Sequence, residues 1–342
     1  AFGMAAAPGH GHADCLSVEL SVKGKPVLID PGSYSWSRTD GWRNIFRSTR
    51  GHNTVVVDGQ DQTPLRGMFA AGPMARPTLR HALAGETLRL IEASHDGYMR
   101  LKDPVLHVRT VIENAGDGWV IIDRLLGRGR HDIELFWHFD PHLAVNLEEN
   151  GFAVHDHSGA LLHGYWTALN KIKAEVLRGG ECPSVGWVSM ESGMKQPANV
   201  VRLQAELRLP FWIATSLAPS FPGSIRPYVS SLSCEEGIAL RCESPEAKTT
   251  IFLSTKINTL PPRSSFLRRL KEMTKKHGQA PAESHGRCFG QWSSDAEIVV
   301  IREGVENSLL MINGRMFSRN GAPYLSFPTK ADHMAHWTGG PP

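Results

Sequence analysis

Two histidines separated by one residue stand near the start of the sequence, at His10 and His12. Alternate side chains of an extended segment point to the same side, so the two imidazoles could converge on one site. Asp30 and a third histidine, His52, follow beside apolar runs. Two imidazoles and a carboxylate from this group form a chemically sensible ligand set for Zn²⁺, with a further position left for water or another group.

The histidine pair taken alone is a weak signal for a metal. Such pairs are more often solvated or engaged in structural hydrogen bonds than bound to an ion. A zinc ion with three protein ligands could also activate water in a hydrolase, although the same blocks of sequence contain no separate carboxylate base. The metal interpretation therefore depends on the rest of the chain.

Four side chains that could bind a sugar lie between the acidic residue and the third histidine. They are Tyr34, Trp42, Arg47 and Arg50. Aromatic faces stack on sugar rings, a tyrosine could supply a proton, and an arginine offers two parallel donors to an anionic group. Each arginine equally fits an ordinary structural or surface role, and Trp42 equally fits core packing.

The elements that must position these residues are short strands. Asp30 follows the apolar run of residues 26–29 and precedes a Pro-Gly turn, and His52 precedes the run of residues 54–57. Similar runs, separated by Gly, Pro, Asn and Asp, recur along the chain at residues 16–22, 105–112, 119–125, 133–139, 211–217 and 250–253. Helical periodicity is nearly absent. The pattern predicts an all-β protein, an antiparallel β-sandwich.

Two turns are marked by their sequences. Residues 113–118, which read ENAGDG, predict a hairpin between the apolar runs on either side. The pair Asn313-Gly314 is the strongest short hairpin signal in the chain, and it predicts a turn between residues 309–312 and residues 315–317.

Composition is that of an ordinary globular protein. The chain is 41% hydrophobic and 21% charged. Its length of 342 residues is enough for one large or two modest domains. The net charge of +3 is too weakly positive to indicate a nucleic-acid partner. The sequence contains no apolar run near the roughly 20 residues that a membrane-spanning helix needs. Composition therefore predicts no nucleic-acid partner and no membrane span.

The five cysteines show no CxxC spacing, which argues against a zinc ribbon and against a fully paired disulfide framework. Cys234 and Cys242 could pair across a hairpin in an oxidising compartment. Two buried thiols are the alternative.

Three ordered blocks resemble the heparinase II/III-like C-terminal region, which is also found in related alginate and oligoalginate lyases. The blocks read GHGHAD, LSVELSVKGKPVLIDPGSYSW and FRSTRGHNTVVVDGQDQ. In that family an N-terminal α/α toroid packs against a C-terminal antiparallel β-sandwich, and the glycan lies in the cleft between them. The resemblance implies that this chain begins where the β part begins, so we expect the helical toroid to be missing from it.

The resemblance also assigns roles to individual residues. By position, His10 resembles the family's catalytic histidine, and His12, Asp30 and His52 resemble the ligands of a mainly structural zinc. It implies a polysaccharide lyase that cleaves uronic-acid-containing glycans by β-elimination, with an acidic polysaccharide or oligosaccharide as substrate. Its implied location is periplasmic, at the cell envelope or secreted. The alternative function is a non-catalytic, zinc-stabilised glycan-binding or cell-envelope module, which would need only the three ligands.

The expected domain organisation follows the extent of this similarity. Residues 1–255 are predicted to form the β-sandwich domain. Residues 256–342 are predicted to form a C-terminal extension of the same β assembly, with a basic loop at residues 260–291 and a terminal β-hairpin.

Overall fold

The computed structural model describes thirteen segments of the chain. They are residues 10–34, 41–67, 69–114, 116–180, 184–220, 228–232, 237–243, 247–254, 287–289, 292–294, 296–304, 307–319 and 322–337. Most of the predicted basic loop, and Cys234 with its proposed disulfide, lie outside these segments.

The chain divides into two compact units. One comprises Ala1–Leu83 and Leu90–Arg226, and the other comprises Ala84–Arg89 and Pro227–Pro342. The domain boundary predicted between residues 255 and 256 was based on the extent of sequence similarity, and it stays a prediction.

The first unit is built from short antiparallel strands. They are β1 (Leu20–Val22), β2 (Lys25–Leu28), β3 (Val55–Val57), β4 (Pro77–Ala84), β5 (Leu88–His95), β6 (Val105–Asn114), β7 (Gly118–Gly127), β8 (Arg130–His138), β9 (Ala144–Glu148), β10 (Gly151–Asp156), β11 (Gly159–Ala168), β12 (Lys173–Arg178), β13 (Trp187–Val188), β14 (Gln196–Pro197), β15 (Asn199–Arg208) and β16 (Phe211–Pro219). An eight-stranded sheet has the order β4-β5-β6-β7-β16-β11-β10-β9, and a four-stranded sheet has the order β12-β15-β8-β3. Strands β1 and β2 pair with each other, as do β13 and β14.

The two larger sheets of this unit enclose a common core. Ile133, Leu135 and Trp137 alternate along β8 and are buried in one cluster with Ile121 and Leu125 of β7. Alternation with a period of two sends these side chains to one face of each strand. The predicted all-β, antiparallel β-sandwich is therefore confirmed.

The opposite face of β8 carries polar side chains. Glu134 and His138 are buried there, and Phe136 lies between them in a small cluster with Val56 and Val185. The loop that contains Arg50 lies against this face, because Arg50 pairs with Glu134 and its carbonyl accepts a hydrogen bond from His138.

The hairpin predicted at residues 113–118 is confirmed. Strands β6 and β7 pair antiparallel, with Asn114 opposite Gly118. Gly118 has a φ of 119°, and a Cβ atom at this position would lie 2.2 Å from the carbonyl oxygen of Leu217. Only glycine fits such a conformation and such a close approach.

The described residues of the second unit form one antiparallel sheet. Its strands are β17 (Tyr228–Leu232), β18 (Gly237–Glu243), β19 (Ala247–Ser254), β20 (Arg287–Phe289), β21 (Trp292–Ser294), β22 (Ile298–Gly304), β23 (Asn307–Arg319) and β24 (Ala322–Trp337). The order is β17-β18-β19-β22-β23-β21-β20, and β24 also pairs with β23. Phe252, Val299, Leu309 and Phe317 lie in its buried core.

The turn predicted at Asn313-Gly314 is wrong. Both residues lie inside β23, where the pairing with β24 shifts register on each side of Gly314. A Cβ atom at Gly314 would lie 2.5 Å from that of Ala296, so close packing explains the glycine. The terminal hairpin is formed instead by the longer strands β23 and β24.

Helical structure is limited to short segments in the described residues. They are α1 (Trp42–Arg47) and the 3₁₀ turns η1 (Thr49–Gly51) and η2 (Gly97–Arg100). Within the segments that the structure describes, no helix is long and apolar enough to cross a membrane.

Candidate metal centre and its surroundings

The structure brings His12, Asp30 and His52 together. Asp30 lies two residues after β2, His52 directly follows η1, and His12 lies on the irregular segment that precedes β1. One ligand atom from each residue can be chosen so that all of them lie within 4.8 Å of one another. Residues from three separate loops therefore meet at one point, as the ligand set requires.

The interatomic distances within this group are short. His12 Nδ1 lies 3.1 Å from His52 Nε2, and His52 Nε2 lies 3.4 Å from Asp30 Oδ2. The other carboxylate oxygen, Asp30 Oδ1, accepts a hydrogen bond from the backbone N–H of Gly32 at 2.8 Å. The Pro-Gly turn therefore orients the carboxylate, with Oδ2 directed at the histidines.

Hydrogen bonding selects one tautomer of His52. Its Nδ1 lies 2.8 Å from the carbonyl oxygen of Ser48, which can only accept, so Nδ1 carries the proton. In the neutral ring the lone pair is then on Nε2, the atom that faces His12 and Asp30. A carbonyl partner of this kind is the usual outer support of a metal-binding histidine.

His12 is held in its neutral form. Burial, reinforced by the neighbouring His52, lowers the pKa of His12 from 6.5 to about 4. A metal binds the unprotonated imidazole, so this pKa leaves the ligand available at neutral pH. Two neutral imidazoles and one carboxylate fit Zn²⁺, which accepts nitrogen and oxygen ligands in a four-coordinate site.

The segment that carries the first two histidines is anchored by Arg47. Its guanidinium Nε donates to the carbonyl oxygen of Gly11 at 2.9 Å, and its own carbonyl accepts from the backbone N–H of Ala13 at 2.9 Å. Arg47 is fully buried in these contacts. His10 is exposed and lies just before the anchored residues, outside the three-residue ligand group.

Arg50 lies on the polar face of the four-stranded sheet. Its Nη2 is 2.8 Å from Glu134 Oε2, and Arg202 Nη1 is 3.1 Å from the other oxygen of the same carboxylate. The Arg50 carbonyl accepts a hydrogen bond from His138 Nε2 at 2.8 Å. The predicted role of Arg50 in substrate binding stays a prediction, since the described contacts are internal to the protein.

Tyr34 and Trp42 belong to an aromatic cluster. The Tyr34 ring stacks on Phe46 at 5.4 Å between centroids, and Trp42 meets Trp187 edge to face at 5.6 Å. Tyr34 has a φ of 56°, a strained conformation of the kind often found near functional sites.

Lys195 completes this cluster. Its ammonium nitrogen lies 3.9 Å from the centre of the Trp42 ring and 3.6 Å from that of Trp187, which are cation–π distances. Sequence reasoning missed Trp187 and Lys195, because they lie far from the motif blocks and no motif marks them.

Removing metal from the protein should lower its stability, because a metal that binds only the folded state stabilises it. We expect the free energy of unfolding to fall by about 2.7 kcal/mol when a chelator strips Zn²⁺ supplied at one hundred times its Kd. Urea unfolding with and without chelator measures the difference. His52→Ala should show no dependence on chelator, whereas His142→Ala, at a histidine whose side chain is 81% exposed, should behave like the unmodified protein. A chelator effect retained in His52→Ala would contradict the assignment.

The metal-free protein should lose stability in mild acid. The folded-state pKa of His12 is about 4 and that of buried His138 about 3, both below the usual 6.5. Below pH 6.5 the unfolded chain therefore binds protons that the folded chain does not, and stability falls as the pH drops towards 4. Urea unfolding of chelated protein across this range measures the slope. His138→Gln, which keeps a donor but cannot titrate, should reduce the slope, and an unchanged slope would contradict this explanation.

Solved structures similar to this chain include a heparan sulfate lyase and a heparinase III. Heparan sulfate lyase HepC from Pedobacter heparinus is 16% identical, with a TM-score of 0.55 over 72% of this chain and 37% of HepC. A heparinase III is 15% identical, with a TM-score of 0.58 over 72% of this chain and 36% of that protein. At these identities the likeness concerns the fold, and this chain spans little more than a third of either relative.

Sequence comparison identifies the family. A search of curated proteins finds no match. The family model described as heparinase II/III-like, C-terminal, matches residues 1–211, which is more than half of the chain. The protein therefore belongs to the heparinase II/III-like family.

Proposed function

We propose that this chain is the β-sandwich part of a polysaccharide lyase that cleaves uronic-acid-containing glycans by β-elimination. The observation that carries the proposal is the position of His10. An exposed imidazole lies two residues before a metal-ligand candidate, on a segment that buried Arg47 anchors through Gly11. Anchoring of this kind is what a catalytic side chain needs, because small displacements of a reacting group are costly.

The reaction makes three demands on a protein. A base must remove the poorly acidic proton at C5 of the uronate, a donor must neutralise the uronate carboxylate, and an acid must protonate the departing glycosidic oxygen. In this proposal His10 acts as the base or as the carboxylate neutraliser, because an imidazole nitrogen can accept a proton or donate a hydrogen bond to a carboxylate. The remaining groups are expected on a helical domain of the parent protein.

The role proposed for the metal is mainly structural. His12, Asp30 and His52 would hold Zn²⁺, which joins three loops and thereby orients the segment that carries His10. Tyr34, Trp42, Arg47 and Arg50 remain the proposed substrate-binding residues. Trp42, which is only half-buried, supports the proposal for the aromatic pair more than the buried Arg47 supports it for the arginines.

A second candidate function is a zinc-stabilised glycan-binding or cell-envelope module without turnover. The contacts of the two arginines favour this binding module, since Arg47 is buried and donates to the Gly11 carbonyl, and Arg50 pairs with Glu134 of the same protein. Such a module would keep the three ligands and the aromatic cluster, and it would not use His10.

The proposed substrate is an acidic polysaccharide or oligosaccharide, and the proposed location is the periplasm, the cell envelope or the exterior. Two of the similar solved structures are those of a heparan sulfate lyase and a heparinase III, which supports an acidic glycan as the proposed substrate. A relation to alginate lyases stays a prediction.

The experiment that tests the function follows ultraviolet absorbance, because β-elimination leaves an unsaturated, absorbing uronate at the new chain end. The full-length protein is incubated with alginate, heparan-type and bacterial exopolysaccharides. A rise with any one of them supports the lyase and identifies the glycan class. Binding to a glycan without a rise, in folded and zinc-loaded protein, would replace the lyase by the binding module.

A further inference from the structure

Asn53, the residue after His52, uses every polar group that it has. It is fully buried. Its side-chain nitrogen donates to the carbonyl oxygens of Val18 at 2.8 Å and Ile29 at 3.0 Å, and its side-chain oxygen accepts from the backbone N–H of His138 at 2.6 Å. The partners settle the orientation of the amide, because two carbonyls face its nitrogen and one N–H faces its oxygen.

The Asn53 amide is inserted into a β-ladder. At the ends of β2 and β8, Leu28 and Phe139 form an antiparallel bridge, and the Ile29 N–H donates to the His138 carbonyl at 3.0 Å. In a regular ladder the His138 N–H would donate back to the Ile29 carbonyl. Here the Asn53 amide stands between them: its oxygen accepts from the His138 N–H, and its nitrogen donates to the Ile29 carbonyl. A side chain with both a donor and an acceptor is required for this insertion.

The backbone of Asn53 is fixed as well. Its N–H donates to Ser17 Oγ at 3.1 Å, and its carbonyl accepts from Arg109 Nη1. Arg109 also donates to the carbonyl of Leu16 at 2.8 Å, and two further bonds, of 2.7 and 2.9 Å, hold its guanidinium on buried Asp123. The support of Asn53 thus extends from the site loops into the sandwich.

These contacts join the two sides of the candidate metal centre. Ile29 directly precedes Asp30, and Asn53 directly follows His52, so one amide links the backbones that carry two of the three ligands. We propose that Asn53 is a positioning residue that sets the spacing of Asp30 and His52, and through it the affinity of the site for a divalent metal. The inference rests on the proposed metal centre and not on lyase activity.

The test compares two substitutions of asparagine by aspartate. Asn53→Asp keeps the shape of the side chain and the acceptor for His138 but removes the donor for Val18 and Ile29. Asn199→Asp is the matched control, because Asn199 also donates its side-chain amide to one backbone carbonyl, that of Leu143 at 2.8 Å. Zn²⁺ affinity is measured by competition with a chromogenic chelator. The visible absorption of bound Co²⁺ reports the geometry of the ligands.

We expect Asn53→Asp to bind Zn²⁺ about 10- to 100-fold more weakly and to change the Co²⁺ spectrum, as loss of an outer support does in other metal sites. Asn199→Asp should change neither. Equal Zn²⁺ affinity in folded Asn53→Asp and unmodified protein would overturn the inference and leave the metal centre intact. If the unmodified protein bound neither ion, both the metal centre and the inference would fail, whereas the elimination assay would still decide the lyase.

A milder variant covers the case in which Asn53→Asp does not fold. Ser17→Ala removes only the acceptor of the Asn53 backbone N–H and leaves the inserted amide in place. A smaller loss of Zn²⁺ affinity, accompanied by a shifted Co²⁺ spectrum, would support the inference. An unchanged affinity and spectrum would overturn it.

Discussion

Replacing His10 by alanine in the full-length protein should slow β-elimination by about 10²- to 10⁴-fold, the usual contribution of one positioned acid–base group. The reason is chemical, because alanine can neither accept the C5 proton nor donate to the uronate carboxylate. His10 lies outside the group of metal ligands, so Zn²⁺ content should stay the same. The measurement is the initial rate of ultraviolet absorbance increase, together with metal content.

His142→Ala is the matched control for this prediction. The His142 side chain is 81% exposed and lies 3.0 Å from Asp140, away from the three ligands. Its rate should equal that of the unmodified protein. If His10→Ala retained full rate, His10 would be removed from the mechanism. If it lost both rate and zinc, His10 would be a metal-site residue instead of a catalytic one.

The second large effect concerns the buried ion pair of Arg109 and Asp123, which holds the backbone of Asn53 next to His52. The Arg109 guanidinium makes two bonds to Asp123, and His107 Nε2 lies 2.6 Å from the same carboxylate. Both members of the pair are almost fully buried, and Arg109 holds the pKa of Asp123 down to about 2. Asp123→Leu leaves a buried cation without its anion, which should lower the free energy of unfolding by about 3 to 5 kcal/mol. Urea unfolding measures the change.

An exposed ion pair provides the comparison. Arg130 Nε lies 3.0 Å from Glu206, and both side chains are more than half exposed. Glu206→Ala should therefore cost less than about 1 kcal/mol. A similar small cost for Asp123→Leu would contradict the prediction. Changing both Arg109 and Asp123 to leucine should recover only part of the loss, because Arg109 also satisfies the carbonyls of Leu16 and Asn53.

Much of the fold could be predicted from local sequence. Apolar runs with turn residues between them predicted strands that the structure contains, including those at residues 105–112, 119–125 and 133–139. The turn at residues 113–118 was also predictable, because glycine there satisfies a backbone demand within a few residues. Such features depend on neighbours in the chain, so periodicity and turn chemistry are sufficient to identify them.

The candidate metal ligands were predictable for a related reason. His12, Asp30 and His52 lie in three blocks of sequence that resemble one family, whose model also matches the chain. Their residue types suit Zn²⁺, and the resemblance to the family assigned the ligand roles to these three residues before any distance was known. The role of each residue in catalysis or substrate binding is not determined by either observation and stays a prediction.

Other features were decided only by the tertiary structure. The Asn313-Gly314 pair is typical of a turn, yet Gly314 lies inside a strand because packing against Ala296 leaves no room for a Cβ atom. The structure alone shows that Arg47 is buried and donates to the carbonyl oxygen of Gly11, and its proposed role in substrate binding stays a prediction. In both cases the position of the residue depends on a contact distant in sequence, which no local pattern indicates.

The sequence by itself determined the strand pattern, the family and the set of residues able to bind a metal. Only the tertiary structure decided how that set is supported: by Asn53 inserted between Ile29 and His138, and by Arg109 held on Asp123. The physical reason is that a buried polar group must find a partner, and which partner it finds depends on strand register and sheet packing. Strand register and sheet packing depend on the whole fold, so no single residue of the sequence indicates which partner a buried polar group will have.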